Sequence, residues 1–191
     1  MTFSELLLKR RAIRDFEDKA VPWNVIEDIL KEATLAPSAS NNQPCRFVVV
    51  QCRRTIKALS DESKANLLRD AAEGRIQLNA DYLAMLKNDA FNVFYNAPCV
   101  IYVAGAKAVR SLDVDAALAA SYIMFSAAAR GLGTCWVGLG SHIRNSQLLG
   151  EINLSAEQRI IAPIILGYPR SVPAPSERRA PQILRVIAEA R

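Results

Sequence analysis

Residues 36–47 read Ala36-Pro37-Ser38-Ala39-Ser40-Asn41-Asn42-Gln43-Pro44-Cys45-Arg46-Phe47 and separate two different periodicities. Before them, apolar residues recur at helical spacing after Pro22, at Val25, Ile26, Ile29, Leu30 and Ala33. Pro37 disfavours the helical conformation in the residue before it, so we expect this helix to end near Ala36. After them, the β-branched run 47–50 predicts a short buried strand. The residues between the two prolines therefore form a polar loop between a helix and a strand.

The rest of the chain also alternates helical patterns with short apolar runs. Thr2 and Glu5 form a capping-box pair that predicts a short first helix. An Ala-rich helix is expected at 115–130, where an apolar surface on nearly every side is typical of a buried helix or one shared between subunits. The remaining predictions are helical pieces between about 55 and 96, strands at 99–103, 134–137 and 160–167, and short helices at 144–150 and 155–158.

The end of the chain has a different composition. Pro163 lies inside the last predicted strand, which indicates an edge or an irregular position. The prolines beyond residue 170 predict an extended tail at 170–191. Because there is no internal repeat and no linker, we expect a single domain over residues 1–191, of the α+β or α/β class.

Composition indicates an ordinary globular protein. The 191 residues suit one domain, and 51% hydrophobic and 23% charged residues exclude a disordered or low-complexity chain. The N-terminus lacks a signal-peptide core, and no apolar run approaches the ~20 residues of a membrane span. The 4 cysteines form no C-x-x-C pair, which favours free thiols in a reducing compartment. We therefore expect a soluble, cytoplasmic protein without a metal site.

The single histidine, His142, limits the chemistry available to side chains. It excludes an H-E-x-x-H site and a three-histidine zinc site, and no G-x-S-x-G motif supports a hydrolase triad. The glycines at 131 and 133 lead into a predicted strand rather than a helix, so they do not form a dinucleotide fingerprint. We expect His142 to be an ordinary loop residue, and we expect an organic cofactor to carry any chemistry.

The densest positive cluster is Lys9-Arg10-Arg11 with Arg14. If the first helix continues through it, Arg10 and Arg14 share one face and suit a phosphate. A solvated basic face is the simpler interpretation of this cluster alone, and Arg178-Arg179 in the tail is equally ambiguous. The net charge of +5 allows anionic partners, but nucleic-acid binding is disfavoured because only 7% of the residues are aromatic.

The loop after Pro37 concentrates short donors and acceptors. Its polar residues are Ser38, Ser40, Asn41, Asn42 and Gln43. Amide side chains both donate and accept hydrogen bonds, so they can bind the mixed polar edge of a heterocycle such as a flavin. An ordinary polar turn that caps the preceding helix explains the same residues.

Taken in order, these segments resemble the nitroreductase family of FMN-dependent oxidoreductases over nearly the whole chain. The most specific match is 36–47, which is similar to the family pattern A-P-S-[AS]-x-N-x-Q-P-W-x-F. Residues 10–16 are similar to the R-R-S-[VI]-R-x-[FY] opening. The weaker matches are Asn96-Ala97-Pro98, Gly131-Leu132-Gly133-Thr134-Cys135-Trp136 and Leu166-Gly167-Tyr168-Pro169.

The resemblance implies an α+β fold with a central, mostly antiparallel sheet flanked by helices, assembled as an intertwined homodimer with FMN at the subunit interface. It implies that Arg10, Arg11, Ala12 and Arg14 surround the phosphate and ribitol, with Arg178 or Arg179 adding charge. Ser38, Ala39, Ser40, Asn41 and Gln43 would lie along the flavin, with Asn41 the best candidate for a contact to the ring. Gly138, Leu139 and Gly140 would pass near its reactive edge.

Two residues depart from the family pattern. Ala12 replaces the usual serine and removes a hydroxyl near the expected phosphate. Cys45 stands where tryptophan is common, so the packing behind the loop must be smaller. Neither change removes a charge that FMN needs.

The resemblance implies a ping-pong transfer of electrons from NAD(P)H to a nitroaromatic, a quinone or a similar conjugated acceptor. Arg14 or Arg11 is the candidate cation beside the reduced flavin, and no side chain is nominated as a catalytic acid or base. Three alternatives remain open: a different redox reaction, such as dehalogenation or heterocycle oxidation, a flavin-binding module without turnover, and a structural dimer without a cofactor, which would leave the arginine clusters unexplained.

Overall fold

The computed structural model describes residues 2–188. Its centre is a four-stranded sheet in the order β1-β2-β4-β3, in which every neighbouring pair is antiparallel. The strands are β1 (Arg46–Val50), β2 (Cys99–Ala106), β3 (Gly133–Trp136) and β4 (Gln158–Gly167). The antiparallel sheet places the protein in the α+β class and confirms the predicted central sheet.

Helices cover both faces of this sheet. They are α1 (Phe3–Lys9), α2 (Trp23–Ala33), α3 (Arg53–Ala72), α4 (Ala80–Lys87), α5 (Leu112–Ala129) and α6 (Ser146–Glu151). Two 3-10 turns lie at Ala39–Asn41 and Gly138–Ser141. The predicted capping box of Thr2 and Glu5 is present at α1, whereas α2 ends at Ala33, three residues earlier than the predicted limit of Ala36.

The core has two layers because alternate residues of each strand face opposite sides of the sheet. On one side, Val100 and Tyr102 of β2 pack with residues of α3. On the other, Ile101 and Val103 pack against α2 and α5. The result is a three-layer arrangement in which β1 and β3 are the two edge strands of the sheet.

The structure corrects two predictions near β4. Residues 155–158 form no helix, because Gln158 already begins β4 and pairs with Ala106. The edge position predicted from Pro163 is wrong, since β4 lies between β2 and β3, although the predicted irregularity occurs as a register shift between Val103 and Ala104. Pro163 has no N–H to donate to the Val137 carbonyl. The hydrogen-bond ladder between β3 and β4 therefore stops at this point, which fits the end of β3 at Trp136.

Helix α5 is long and apolar enough to cross a membrane by length and composition alone, and it is the one such helix among residues 2–188. Half of it is buried inside this fold, where it packs against α2 and the sheet. Its other side exposes a row of apolar side chains, Val114, Leu118 and Tyr122. This arrangement fits the predicted helix that is buried or shared between subunits.

The predicted tail has neither helix nor strand from residue 171 to residue 188, and its side chains there are exposed. Its last three residues, 189–191, lie outside the described part of the chain.

Candidate functional site

The basic segment after α1 is extended rather than helical. The first helix ends at Lys9, and Arg10 has extended backbone angles, φ −60° and ψ 132°, so the predicted helical pairing of Arg10 with Arg14 is wrong. Ala12 forms a parallel bridge with Thr134 of β3, and the Ile13 N–H donates to the Thr134 carbonyl at 2.9 Å. Extended residues two apart share a side, so Arg10, Ala12 and Arg14 still face one way while Ile13 is buried.

The three arginines of this segment differ in their partners. Arg11 turns back, and its Nη1 donates to the carbonyls of Leu8 at 2.5 Å and Arg10 at 2.8 Å. Arg14 is exposed, with its guanidinium carbon 5.7 Å from the centre of the Tyr95 ring. Arg14 and Arg10 both lie near Cys135 of β3: their charges lower the pKa of its thiol, but burial outweighs them and raises that pKa. Arg10 and Arg14 therefore remain available to a ligand.

Tyr95 is a candidate site residue that the sequence motifs did not reveal, because its ring lies beside Arg14. It has φ +53° and is followed by Asn96 at φ +54°, both left-handed. Its ring packs edge-on against Phe91 with the centroids 5.6 Å apart. Bulky residues are uncommon in the left-handed region, and such conformations concentrate at functional sites. The match at 96–98 marks this turn but gives no reason to select Tyr95.

The polar loop 38–43 has an unusual backbone. Ser40, Asn41 and Gln43 have φ of +51°, +54° and +47°, and residues 39–43 are exposed. The Gln43 N–H donates to Ser38 Oγ at 3.0 Å, and Gln43 Nε2 donates to Asn41 Oδ1 at 3.1 Å. These bonds close the loop on itself and leave its outer donors and acceptors facing solvent.

The segment Gly138, Leu139 and Gly140 forms the second 3-10 turn, directly after β3. Gly138 is exposed, and a Cβ built on it meets nothing within 4 Å. Gly140 is buried, and a Cβ there lies 2.3 Å from Phe94 Cε1. The glycine at 140 therefore permits close packing, while the one at 138 leaves open space beside the backbone.

Polar residues of α3 form hydrogen bonds to the backbone of this turn and of the residue after it. Ser63 Oγ donates to the Leu139 carbonyl and accepts from the His142 N–H at 3.3 Å, and Asn66 Nδ2 donates to the His142 carbonyl at 2.8 Å. Next to it, Asp70 pairs with Arg144, which with Arg75 lowers the pKa of that carboxyl to about 2. His142 is half-buried, and burial lowers the pKa of its imidazole.

The second basic cluster, Arg178 and Arg179, lies in the exposed tail. Among residues 2–188, no hydrogen bond or ion pair joins it to the Arg10–Arg14 segment. The same part of the chain holds no group of three or more His, Cys, Asp or Glu side chains suited to a metal ion.

One chain does not bring the predicted site residues together. The segment 10–14 and the turn 138–140 lie along β3, whereas the loop 38–43 leads into β1, at the opposite edge of the sheet. Three interstrand steps of about 4.8 Å separate these edges. The two groups also lie on opposite faces, because Ser63 of α3 holds the 138–140 turn while Asp115 of α5 contacts the loop.

Comparison with known proteins identifies the family. An Archaeoglobus fulgidus protein named "Putative NADH dehydrogenase/NAD(P)H nitroreductase" is 27% identical over 167 residues, which cover 87% of this chain and 84% of that protein. A nitroreductase with bound FMN from Bacteroides fragilis superposes with a TM-score of 0.81 at 17% identity, covering 97% of this chain and 98% of that one.

An iodotyrosine deiodinase bound to FMN and 3-iodo-L-tyrosine superposes with a TM-score of 0.73 at 22% identity, covering 96% of this chain and 98% of that one. These superpositions confirm the predicted fold. The sequence profile of the Nitroreductase family matches residues 7–168, which is most of the chain. The protein therefore belongs to the Nitroreductase family.

Proposed function

We propose that the protein binds FMN and transfers electrons from NADH or NADPH to a small conjugated acceptor, such as a nitroaromatic or a quinone. The observation that carries this proposal is that the chain has two elements of complementary chemistry: the cationic segment with the half-buried Arg10 and the exposed Arg14, and the polar loop 38–43. One suits a phosphate and the other suits the polar edge of a flavin ring. The FMN bound in the solved relatives supports this choice.

The phosphate end of the cofactor is assigned to the extended segment. Arg10 and Arg14 share a side of this segment, and Ala12 between them adds no bulk. Arg11 Nη1 is engaged by two backbone carbonyls, so we give Arg11 the role of shaping the segment rather than that of a ligand. The exposed Arg178 and Arg179 supply further positive charge when the tail reaches a site.

The ring end is assigned to the loop and the glycine turn. Ser38, Ala39, Ser40, Asn41 and Gln43 line one side, and Asn41 presents an exposed amide. Gly138, Leu139 and Gly140 approach from β3, where the open space at Gly138 allows a flat ring to lie against the backbone. Because these groups lie at opposite edges of one sheet, the loop of one chain meets the arginines and the glycine turn of another.

This division of the site leads us to propose a homodimer. Val114, Leu118 and Tyr122 form an exposed apolar row on α5. It continues into a cavity of about 420 Å³ lined by Phe3, Leu6, Leu35, Tyr122 and Phe125. The tail exposes a second apolar set, Ile183, Leu184, Val186 and Ile187. A single chain leaves both surfaces in water, and a second copy buries them.

Held between the Arg10–Arg14 segment and loop 38–43, FMN would supply the redox chemistry of the proposed ping-pong cycle, which is hydride uptake from a nicotinamide and electron transfer to the acceptor. The chain's own contribution is binding and electrostatics. Arg14 is exposed, whereas Arg11 is engaged by the backbone, so Arg14 is the cation that would offset the negative charge of a reduced flavin. No side chain is assigned as an acid or base.

The test is to purify the protein and measure FMN binding and bleaching of the flavin by NADH or NADPH without oxygen. A protein that neither retains nor rebinds FMN contradicts the proposal. The variant Arg10→Ala with Arg14→Ala should weaken FMN binding sharply. The control, Lys31→Ala with Arg54→Ala, removes the same charge from two exposed positions on α2 and α3 and should leave FMN binding unchanged.

The structural similarity to iodotyrosine deiodinase favours one alternative, a family member with a different redox reaction. Turnover measured on a nitroaromatic, a quinone and a halogenated phenol separates these activities. Binding of FMN without steady-state oxidation of NAD(P)H indicates instead a flavin-binding module. We propose a cytoplasmic location, which the four free cysteines support.

A further inference from the structure

A buried carboxylate lies behind the polar loop. Asp115, in the first turn of α5, is 3% exposed. Its Oδ1 accepts a hydrogen bond from the Ala39 N–H at 3.0 Å. Its Oδ2 is also buried and has no protein partner among residues 2–188.

Burial of a carboxylate with one free oxygen is unfavourable, so the presence of Asp115 at this position needs a physical explanation. A general preference of helix N-termini for negative charge explains part of it. That preference is equally met by Asp113, which is exposed and pairs with Arg159 at 2.7 Å. The feature that distinguishes Asp115 is its bond to Ala39, 76 residues away in the chain.

The loop needs an anchor because its backbone is strained and its support is sparse. Three of its residues have positive φ, and such conformations persist only when their surroundings hold them. Within residues 2–188, the other hydrogen bonds of residues 38–42 stay between 38 and 43, so the bond to Asp115 is the one that joins them to a helix. Arg46 holds the far end, at the Gln43 carbonyl.

Packing does not replace this anchor. A cavity of about 150 Å³ lies between α2, α5 and the two ends of the loop, and its lining includes Pro37, Ser38, Gln43, Cys45 and Asp115. Residues 39–42 do not line this cavity and are exposed, so they lack the close contacts that would otherwise fix their conformation. The Ala39–Asp115 bond therefore carries the positioning of the loop.

We propose that Asp115 is a positioning residue: its carboxylate oxygen fixes the Ala39 N–H and thereby holds loop 38–43 in the conformation that binds the cofactor. The inference deepens the proposed function and rests on it for the cofactor. The anchor itself requires an acceptor oxygen at this position rather than a negative charge.

The test compares Asp115→Ala, Asp115→Asn and the control Asp113→Asn by amide hydrogen exchange in FMN-free protein and by FMN titration. Loss of this partly buried hydrogen bond predicts that Asp115→Ala speeds exchange at Asn41 and Asn42 about tenfold and weakens FMN binding about tenfold. Its melting temperature should change little, since the variant also removes an unpaired buried oxygen. Asp115→Asn keeps Oδ1 and should restore both properties, and Asp113→Asn should match the wild type.

The outcomes separate the two proposals. The positioning role is overturned if Asp115→Ala speeds exchange at Ala39 alone. It is also overturned if Asp115→Asn and Asp115→Ala change exchange and FMN binding equally. Altered exchange as expected, in a protein that does not bind FMN, supports the anchor and overturns the proposed function. If Asp115→Ala does not fold, Asp115→Ser serves in its place, because its shorter side chain stays polar but does not reach Ala39.

Discussion

At the scale of single residues, the left-handed turn at Tyr95 and Asn96 sets the surroundings of Arg14. A guanidinium over an aromatic face gains about 0.5–1 kcal/mol at an exposed site. We therefore expect Tyr95→Leu to weaken FMN binding by roughly two- to fivefold, since Arg14 loses the ring that orients it. Tyr95→Phe keeps the ring and should bind FMN as the wild type does. A fluorescence titration of the two variants measures this, and equal weakening would show that the hydroxyl matters instead.

Gly140 gives a second residue-scale prediction, on stability. A Cβ at this position comes within 2.3 Å of Phe94 Cε1 and 3.3 Å of Pro163 Cβ, so Gly140→Ala forces a side chain in the core to move. Such overpacking costs about 1–3 kcal/mol of unfolding free energy. Gly138→Ala is the matched control in the same turn, where the new Cβ meets nothing within 4 Å. Urea unfolding of both variants checks the difference, and equal stabilities would contradict the close packing.

At the scale of secondary structure, the sequence predicts elements whose periodicity depends on apolar residues. The helix after Pro22 and the strand at 47–50 were predictable in this way. The buried face of α3 was not predictable, because it contains Ser60, Ser63 and Asn66. Polar residues do not mark a buried face in a hydrophobicity pattern. Arg10 and Arg14 do share a side, but through the two-residue period of an extended segment rather than a helical turn.

The ion pair between α3 and the segment before α6 predicts a dependence of stability on pH. Arg144 and Arg75 lower the pKa of Asp70 from 3.8 to about 2 in the folded protein. A lowered folded-state pKa stabilises the protein above pH 3.8, and this contribution is lost as the pH falls toward 2.

The comparison is therefore the denaturant midpoint of Asp70→Asn and of the wild type between pH 5 and pH 2. Their difference should shrink as the pH falls through this range. Asp61→Asn, which breaks an exposed pair with Lys57, should show little difference at any pH. If the difference in denaturant midpoint between Asp70→Asn and the wild type stays constant with pH, the charge of Asp70 does not stabilise the fold.

At the scale of the whole molecule, the sequence motifs predict which residues form the site but not where these residues lie relative to one another. The motif at 36–47 and the arginines at 10–14 are each continuous in the chain, so a pattern detects both. Their placement at opposite edges of the sheet follows from the strand order β1-β2-β4-β3, which depends on long-range pairing. Local patterns do not encode that order. The proposed division of the site therefore predicts that cofactor binding depends on assembly, because a single chain does not bring the arginines and the loop together.

A charge on the exposed row of α5 tests this link. Tyr122 is 39% exposed and borders the cavity that contains Phe3 and Phe125, so Tyr122→Asp places a carboxylate in the proposed interface. Burial of an unpaired charge there is unfavourable, and we expect the variant to sediment as a monomer and to bind FMN at least tenfold more weakly. Tyr82→Asp, at an exposed tyrosine of α4, should keep the assembly of the wild type. A Tyr122→Asp monomer with full FMN affinity would show instead that one chain forms the complete site.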